Sequence, residues 1–291
     1  MLVIISDNME ENVVKGIKEI AEVKYKPENL EEAIGDADGL VVRSATKVTG
    51  ELLSKAEKLK VIVRAGVGID NIDVEAAKEK GIEVRNTPGA STNAVAELAL
   101  TLMISGLRNV QKAHHQMKNK EWKKKELVGN EIQGKTLGIV GYGRIGASLA
   151  EKAHALGMKI ISYNVPPRKG DDFVEFVDLD SLLANSDVIS LHVPVTEETK
   201  NMINKENIEK MKDGAFIINT SRGEVIDEDA LYEGCKGKIK GAALDVYREE
   251  PYKGKLLELD NVYFTPHIAA STKEAQKRIG DEVIRILKEF K

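Results

Sequence analysis

A chain of 291 residues, 42% hydrophobic and 31% charged, has the composition of an ordinary globular protein and is long enough for two domains. Its net charge of −4 leaves no electrostatic footprint for nucleic acid or an anionic membrane surface. One cysteine, Cys235, excludes an internal disulfide and points to a reducing cytoplasm, and the most apolar segment, Ala94 to Ile104, is broken by Glu97 and falls short of the ~20 residues that span a bilayer.

The chain opens on the run Leu2-Val-Ile-Ile5, too short for a signal-peptide core and without a preceding basic region, so no secretory leader is expected. Short β-rich runs then alternate with helical patterns, which predicts parallel α/β architecture. The first five strands are expected at Leu2 to Ser6, Val23 to Tyr25, Gly39 to Arg43, Val61 to Arg64 and Ile82 to Arg85. Helical stretches such as Asn8 to Ile20 and Asp73 to Lys80 separate them. Arg64 closes an apolar strand and leads into Gly66-Val67-Gly68, a turn able to aim successive N–H groups at a carboxylate. After the turn signal Asn86-Thr-Pro-Gly89, one long helix is expected from Ser91-Thr-Asn93 toward Lys118. Between Ala94 and Leu107 it is apolar on most faces, the pattern of a helix buried from more than one side, and a subunit interface of a homodimer accounts for it.

A second series starts at Thr136. The strand Thr136 to Val140 runs into Gly141-x-Gly143-x-x-Gly146, a helical segment follows from Ala147 to Leu156, and a second strand is expected at Lys159 to Tyr163. This is a dinucleotide-binding fingerprint in its proper setting. Gly141 permits the tight turn, Gly143 lets the backbone approach a pyrophosphate, Gly146 lets helix and strand pack closely, and the helix N-terminus faces the phosphates. Further strands are expected at Val188 to His192, Phe216 to Asn219, Ala242 to Val246 and Val262 to Thr265, with a last amphipathic helix from Thr272 to Phe290. The pattern predicts two doubly wound parallel-sheet domains. A Rossmann dinucleotide-binding domain, residues 91–269, is inserted in a flavodoxin-like substrate-binding domain, residues 1–90 and 270–291, to which the terminal helix returns. Ligands of open parallel sheets bind beyond the carboxyl ends of strands, and Arg64, Arg222, Asp245 and His267 all fall at such ends. Singly each reads as a solvated loop charge or a structural histidine. Four together beside a nucleotide site suggest one crevice.

The segments carrying these residues resemble the D-2-hydroxyacid dehydrogenase family, and within it the branch that oxidises 3-phospho-D-glycerate. They are Val42-Arg-Ser-Ala-Thr-Lys-Val-Thr49, Arg64-Ala-Gly-Val-Gly-Ile-Asp-Asn71, Asn86-Thr-Pro88, Gly134-Lys-Thr-Leu-Gly138 through Gly146, Asn219-Thr-Ser-Arg-Gly223, Ala242-Ala-Leu-Asp-Val246 with Glu249-Glu-Pro251, and Pro266-His-Ile-Ala-Ala-Ser271. The resemblance implies that Arg222, Glu250 and His267 are catalytic, and that Arg43, Arg64 and Gly66, Val67 and Gly68 bind substrate. It implies cofactor contacts from Gly141, Gly143, Arg144, Ile145, Gly146, Asn164, Thr220, Ser221, Asp245 and Ala269, and no metal site. Glu249 competes with Glu250, which is preferred because it matches the family residue directly before proline.

The implied chemistry suits these residue types. A histidine can exchange the hydroxyl proton near neutral pH, a glutamate on its ring favours imidazolium, and an arginine fork can hold a carboxylate and polarise a carbonyl. NAD is the expected cofactor. Asn164 stands where NAD-specific members of this fold carry an acid, with Arg168 and Lys169 nearby, so measurable NADP use is expected too. The basic group Lys118, Lys120, Lys123, Lys124 and Lys125 reads mainly as a solvated helix end, although at a dimer interface it could approach the partner's substrate site. Longer members of the branch append regulatory domains after the terminal helix, and this chain stops at Lys291, so serine feedback inhibition is not expected. The alternatives are a glyoxylate/hydroxypyruvate reductase, a D-lactate dehydrogenase, and a corepressor-like dinucleotide-sensing scaffold without turnover.

Overall fold

The computed structural model describes residues 1–165 and 171–291. They form two compact units, Met1–Thr92 with Ala270–Lys291, and Asn93–Ala269.

The first unit holds a parallel sheet of five strands: β1 (Leu2–Ile5), β2 (Glu22–Tyr25), β3 (Gly39–Val42), β4 (Val61–Arg64) and β5 (Glu83–Asn86). Their order, β2-β1-β3-β4-β5, is the flavodoxin-like one. Side chains alternate across the sheet as the two-residue period requires. Val3, Ile5, Val41 and Val63 face helices Glu11–Lys18 and Lys273–Glu289, while Ile4, Leu40, Val42 and Ile62 join a second core with Leu53 and Ala77. The terminal helix therefore belongs to this unit. Its hydrophobic stripe, Ile279, Val283, Ile286 and Leu287, packs with Val13, Val14 and Ile17 of the first helix. A Cβ on Gly280 would stand 2.2 Å from Val13, so glycine sets how closely those two helices approach. Thr272 caps the helix by accepting from the Ala275 N–H, a contact that contributes about 1 kcal/mol.

The second unit is built on seven parallel strands: β6 (Thr136–Val140), β7 (Lys159–Tyr163), β8 (Val174–Phe176), β9 (Val188–Leu191), β10 (Phe216–Asn219), β11 (Gly241–Leu244) and β12 (Val262–Phe264). The order β12-β11-β10-β9-β6-β7-β8 is that of a Rossmann sheet with one added edge strand. Both faces are covered. Ile189, Leu191 and Ile217 pack with the helix residues Leu182, Ile208 and Leu231 on one side, and Leu137, Ile139 and Ile218 pack with Ala99, Leu102, Met103 and Leu149 on the other.

Three sequence expectations need correction. The long helix is two helices, Thr92–Leu107 and Val110–Lys118, because Asn109 adopts a left-handed conformation (φ 53°) and its amide donates to the Val128 carbonyl. Asparagine reaches that region more easily than other non-glycine residues. Strand β8 was not foreseen: its three residues follow Asp171-Asp172 on a sheet edge and carry no apolar run. Several strands also end one or two residues early, leaving Ser6, Arg43, His192, Val246 and Thr265 in loops, although Ser6, His192 and Thr265 still donate a backbone N–H to the neighbouring strand. Among the described residues no helix is long and apolar enough to cross a membrane.

Candidate active site

The glycine loop leaves β6 at the point where strand order reverses, between β9 and β7. Gly141 has φ +98°, and a Cβ there would lie 2.6 Å from the His192 carbonyl oxygen, so no other residue fits. A Cβ on Gly146 would lie 2.4 Å from the Gly141 oxygen, which brings helix Arg144–Ala155 hard against the turn. Gly143, at the N-cap of that helix, has nothing within 4 Å of its Cβ position and leaves its side of the loop open. The first intrahelical bond runs from the Ala147 N–H to the Gly143 carbonyl, so the N–H groups of the first turn, including those of Arg144 and Ile145, point outward.

Asn164, just beyond β7, accepts the Tyr142 N–H on its Oδ1 at 2.8 Å, and the Tyr142 hydroxyl donates to Asp171. The glycine loop is thus tied to the strand end that in many dinucleotide sites meets a ribose. Arg168 and Lys169, also expected near that point, lie outside the described residues. Beyond β10, buried Asn219 organises the next loop: its Oδ1 accepts the Ser221 N–H and hydroxyl, and its Nδ2 donates to the Arg222 carbonyl. Sequence reading had treated Asn219 only as a strand end. The Thr220 hydroxyl and His192 Nδ1, at the ends of adjacent strands, are buried with no hydrogen-bond partner among the described residues. Burial pushes the His192 ring down to about 4, so it is neutral, and its Nε2 meets the Ser190 hydroxyl at 2.8 Å. His192 was also missed; its signal was a polar residue directly after the mostly apolar run Val188-Ile-Ser-Leu191. A glycine cradle with an open side and an unpartnered buried hydroxyl fit a dinucleotide.

His267 stands beyond β12 in a left-handed backbone (φ 54°), and its Nδ1 meets Glu250 Oε2 at 2.9 Å and Oε1 at 3.1 Å. Glu250, not Glu249, makes this contact. A carboxylate only accepts, so Nδ1 carries a hydrogen and a neutral ring keeps its lone pair on Nε2. Desolvation raises the Glu250 carboxyl. The His267 hydrogen bond and charge, the Tyr247 N–H and the Arg222 charge outweigh it and hold the group below the ordinary carboxylate range. The two side chains remain 36% and 38% exposed, so a substrate can reach them. Tyr247, Glu250, Pro251, Tyr252, Phe264 and His267 line a cavity of about 540 Å³.

Asp245 is fully buried and takes three donors: the Thr265 hydroxyl at 2.6 Å, the Ile268 N–H at 2.8 Å and the Ala269 N–H at 2.9 Å. A buried carboxylate so satisfied fixes the loop on both sides of His267. Arg222 is half-buried, and its Nη1 donates to the Ser221 carbonyl at 2.6 Å. The second unit thus brings the glycine loop, Thr220, Arg222, Asp245, Glu250 and His267 to the carboxyl edge of its sheet.

In the first unit, Arg43 and Arg64 close neighbouring strands β3 and β4. The Arg64 guanidinium folds over Gly66, where a Cβ would sit 1.3 Å from Nη1, and Gly66 has φ +153°. Asn86 Nδ2 donates to the Val67 carbonyl and the Thr87 N–H to that of Gly66, so the Gly66–Gly68 turn is held from behind. The Arg43 guanidinium donates to the Asn8 carbonyl at 3.2 Å and makes no ion pair among the described residues. Of the lysine group after the second helix, Lys123 pairs with Glu121 at 3.0 Å.

Residues 100–269 match the model of the D-isomer specific 2-hydroxyacid dehydrogenase NAD-binding domain. The chain is 52% identical over 278 residues to a hydroxypyruvate reductase of Thermotoga maritima, a match covering 94% of this chain and 91% of that one. It is 50% identical over 296 residues to a D-3-phosphoglycerate dehydrogenase of Methanocaldococcus jannaschii, covering 98% of this chain but only 56% of that relative. Among solved structures it resembles a D-lactate dehydrogenase of Aquifex aeolicus complexed with NAD and lactic acid, with a TM-score of 0.90, 35% identity, and coverage of 100% of this chain and 95% of that one.

Proposed function

The chain belongs to the D-isomer specific 2-hydroxyacid dehydrogenase family, and from that premise we propose that it oxidises 3-phospho-D-glycerate to 3-phosphohydroxypyruvate, a step of serine biosynthesis. It is an NAD-dependent oxidoreductase of 2-hydroxy acids. The substrate reading rests on Arg43, a guanidinium without an ion pair among the described residues, one strand from Arg64 at the carboxyl edge of the first sheet.

In this reading Nε2 of His267 removes the hydroxyl proton, and ionised Glu250 stabilises the imidazolium that forms. NAD, when bound, accepts the hydride from the same carbon. Arg222 holds the carboxylate and polarises the carbonyl oxygen, while Arg64 and the Gly66–Gly68 turn bind the substrate's anionic end. Gly141 to Gly146, Asn164, Thr220, Ser221, Asp245 and Ala269 serve the cofactor side, where Asp245 acts by fixing the loop that carries His267.

The deciding experiment compares kcat/KM for 3-phosphohydroxypyruvate and hydroxypyruvate with NADH. We expect a preference of ~10- to 100-fold for the phosphorylated acid, abolished in Arg43→Ala and weakened by salt, since exposed charge pairing is screened. Equal kcat/KM would instead favour a hydroxypyruvate reductase, the reading supported by a relative matched over 91% of its length.

NADP(H) use is expected beside NAD(H), because Asn164 carries no charge to repel a 2′-phosphate. Asn164→Asp raises the NADPH to NADH ratio of KM values by ~10-fold through that repulsion. If wild type has no NADPH activity and the ratio does not move, Asn164 serves the Tyr142 N–H alone. We further infer a cytoplasmic homodimer. Leu98, Leu100 and Ile104 are only half-buried along helix Thr92–Leu107, and Trp122 and Val128 are 80% and 79% exposed, an apolar surface suited to a second copy.

A further inference from the structure

We propose that Tyr247 is a positioning residue for the dyad of His267 and Glu250, its hydroxyl fixing the backbone that carries the histidine and its N–H fixing the carboxylate; the inference rests on the acid–base reading of that dyad above. Tyr247 stands in the loop beyond β11, and Thr265 lies directly beyond the neighbouring strand β12. The tyrosine hydroxyl has one hydrogen to give. Its oxygen lies 2.8 Å from the Thr265 carbonyl oxygen and 2.9 Å from that of Leu244. The Tyr247 N–H donates to Glu250 Oε1 at 3.3 Å, so one residue touches the supports of both dyad members.

The Thr265 carbonyl sets the course of the backbone into His267. It also accepts the His267 N–H at 3.0 Å, across Pro266, and so closes a three-residue turn. His267 leaves that turn in a left-handed backbone (φ 54°), an uncommon state that a non-glycine residue keeps only when its surroundings hold it. Asp245 holds the turn through the Thr265 hydroxyl and the N–H groups of Ile268 and Ala269. An ionised carboxylate only accepts, so it offers nothing to the Thr265 carbonyl; the Tyr247 hydroxyl supplies that donor. Burial, and then the Asp245 charge, raise the hydroxyl's pKa above the ordinary tyrosine value, so it stays protonated and donates.

Tyr247 is itself anchored. Its ring stacks on that of Tyr252, with centroids 4.6 Å apart and planes 21° from parallel. The next residue, Arg248, donates to the Asn201 side chain and to the Ile226 carbonyl, the latter at 2.8 Å. A Cβ on Gly223, one residue after Arg222, would stand 2.1 Å from the Tyr247 carbonyl carbon, so the Arg222 loop packs on the same peptide. The loops bearing Arg222, Glu250 and His267 therefore meet at Tyr247. Removing the hydroxyl alone leaves neither carbonyl unpaired, because Leu244 still accepts the Thr265 N–H and Thr265 the His267 N–H, each at 3.0 Å. Tyr247→Phe thus changes alignment while sparing the fold.

The test compares the full chain with Tyr247→Phe and with His267→Asn. Reduction of hydroxypyruvate and of 3-phosphohydroxypyruvate by NADH, NADH affinity and Tm are measured. The His267 Nδ1–H proton, assigned by its absence from His267→Asn, is followed by NMR of protein labelled with 15N-histidine. In Tyr247→Phe kcat falls ~10-fold, the scale of a sub-ångström misalignment, while KM and NADH affinity stay within about twofold. The Nδ1–H resonance moves upfield or broadens as the bond to Glu250 loses its fixed geometry. A kcat within about twofold of wild type, an unmoved resonance, or a joint loss of kcat, NADH affinity and Tm overturns the positioning role. Turnover retained by His267→Asn overturns instead the acid–base reading of the dyad, and this inference with it.

Discussion

Replacement of His267 by Asn lowers turnover by ~10²–10⁴ while cofactor affinity is largely kept. The argument starts from the hydrogen bond between Nδ1 and Glu250 at 2.9 Å, which leaves Nε2 as the exchangeable position. Asparagine is close to imidazole in size and can still donate to Glu250, but it cannot take up a proton. The loop should survive, because its shape depends on the Asp245 bonds to Thr265, Ile268 and Ala269 rather than on the ring. Turnover within a few-fold of wild type would show that another group moves the proton.

Arg222→Lys should cost ~10²–10³ in kcat/KM, with both kcat and KM affected. Lysine preserves the positive charge that helps to keep Glu250 ionised, so the electrostatic support of the dyad survives the exchange. What disappears is the fork. One face of the guanidinium is anchored, with Nη1 on the Ser221 carbonyl at 2.6 Å, and the backbone carbonyl of Arg222 is held by Asn219. An ammonium on a flexible stem reproduces neither the two parallel hydrogen bonds to a carboxylate nor the fixed direction toward a carbonyl oxygen. The substitution therefore separates geometry from charge. If kcat and KM stayed within twofold of wild type, Arg222 would be a solvated loop charge.

Much of this was legible without coordinates. Parallel strands buried on both faces appear in sequence as short apolar runs, and short β-rich runs marked eleven of the twelve strands among the described residues, the edge strands β2 and β5 being the mixed ones. The exception, β8, is a three-residue edge segment whose pairing with β7 supplies what its composition does not. The glycine fingerprint was equally plain, because Gly141 and Gly146 answer to backbone approaches of 2.6 and 2.4 Å that no side chain tolerates. The break at Asn109 was not: nothing local forces asparagine out of a helix, and its left-handed conformation goes with a bond to Val128 nineteen residues later.

What the sequence determined by itself was the alternation of strands and helices, the position of the glycine loop, and the set of polar residues standing at strand ends. Those properties are encoded in neighbours, through two-residue and 3.6-residue periods and through glycine's conformational range. Only the tertiary structure decided which polar groups meet. It put Glu250 rather than Glu249 on His267, turned Asp245 into the buried anchor of the loop that carries His267, and brought Lys26 and Arg43 to the same asparagine. These contacts join residues in loops beyond separate strands, where no local period relates the partners. Parallel sheet register and the desolvation of each carboxylate select them, and both arise only when the strands are side by side.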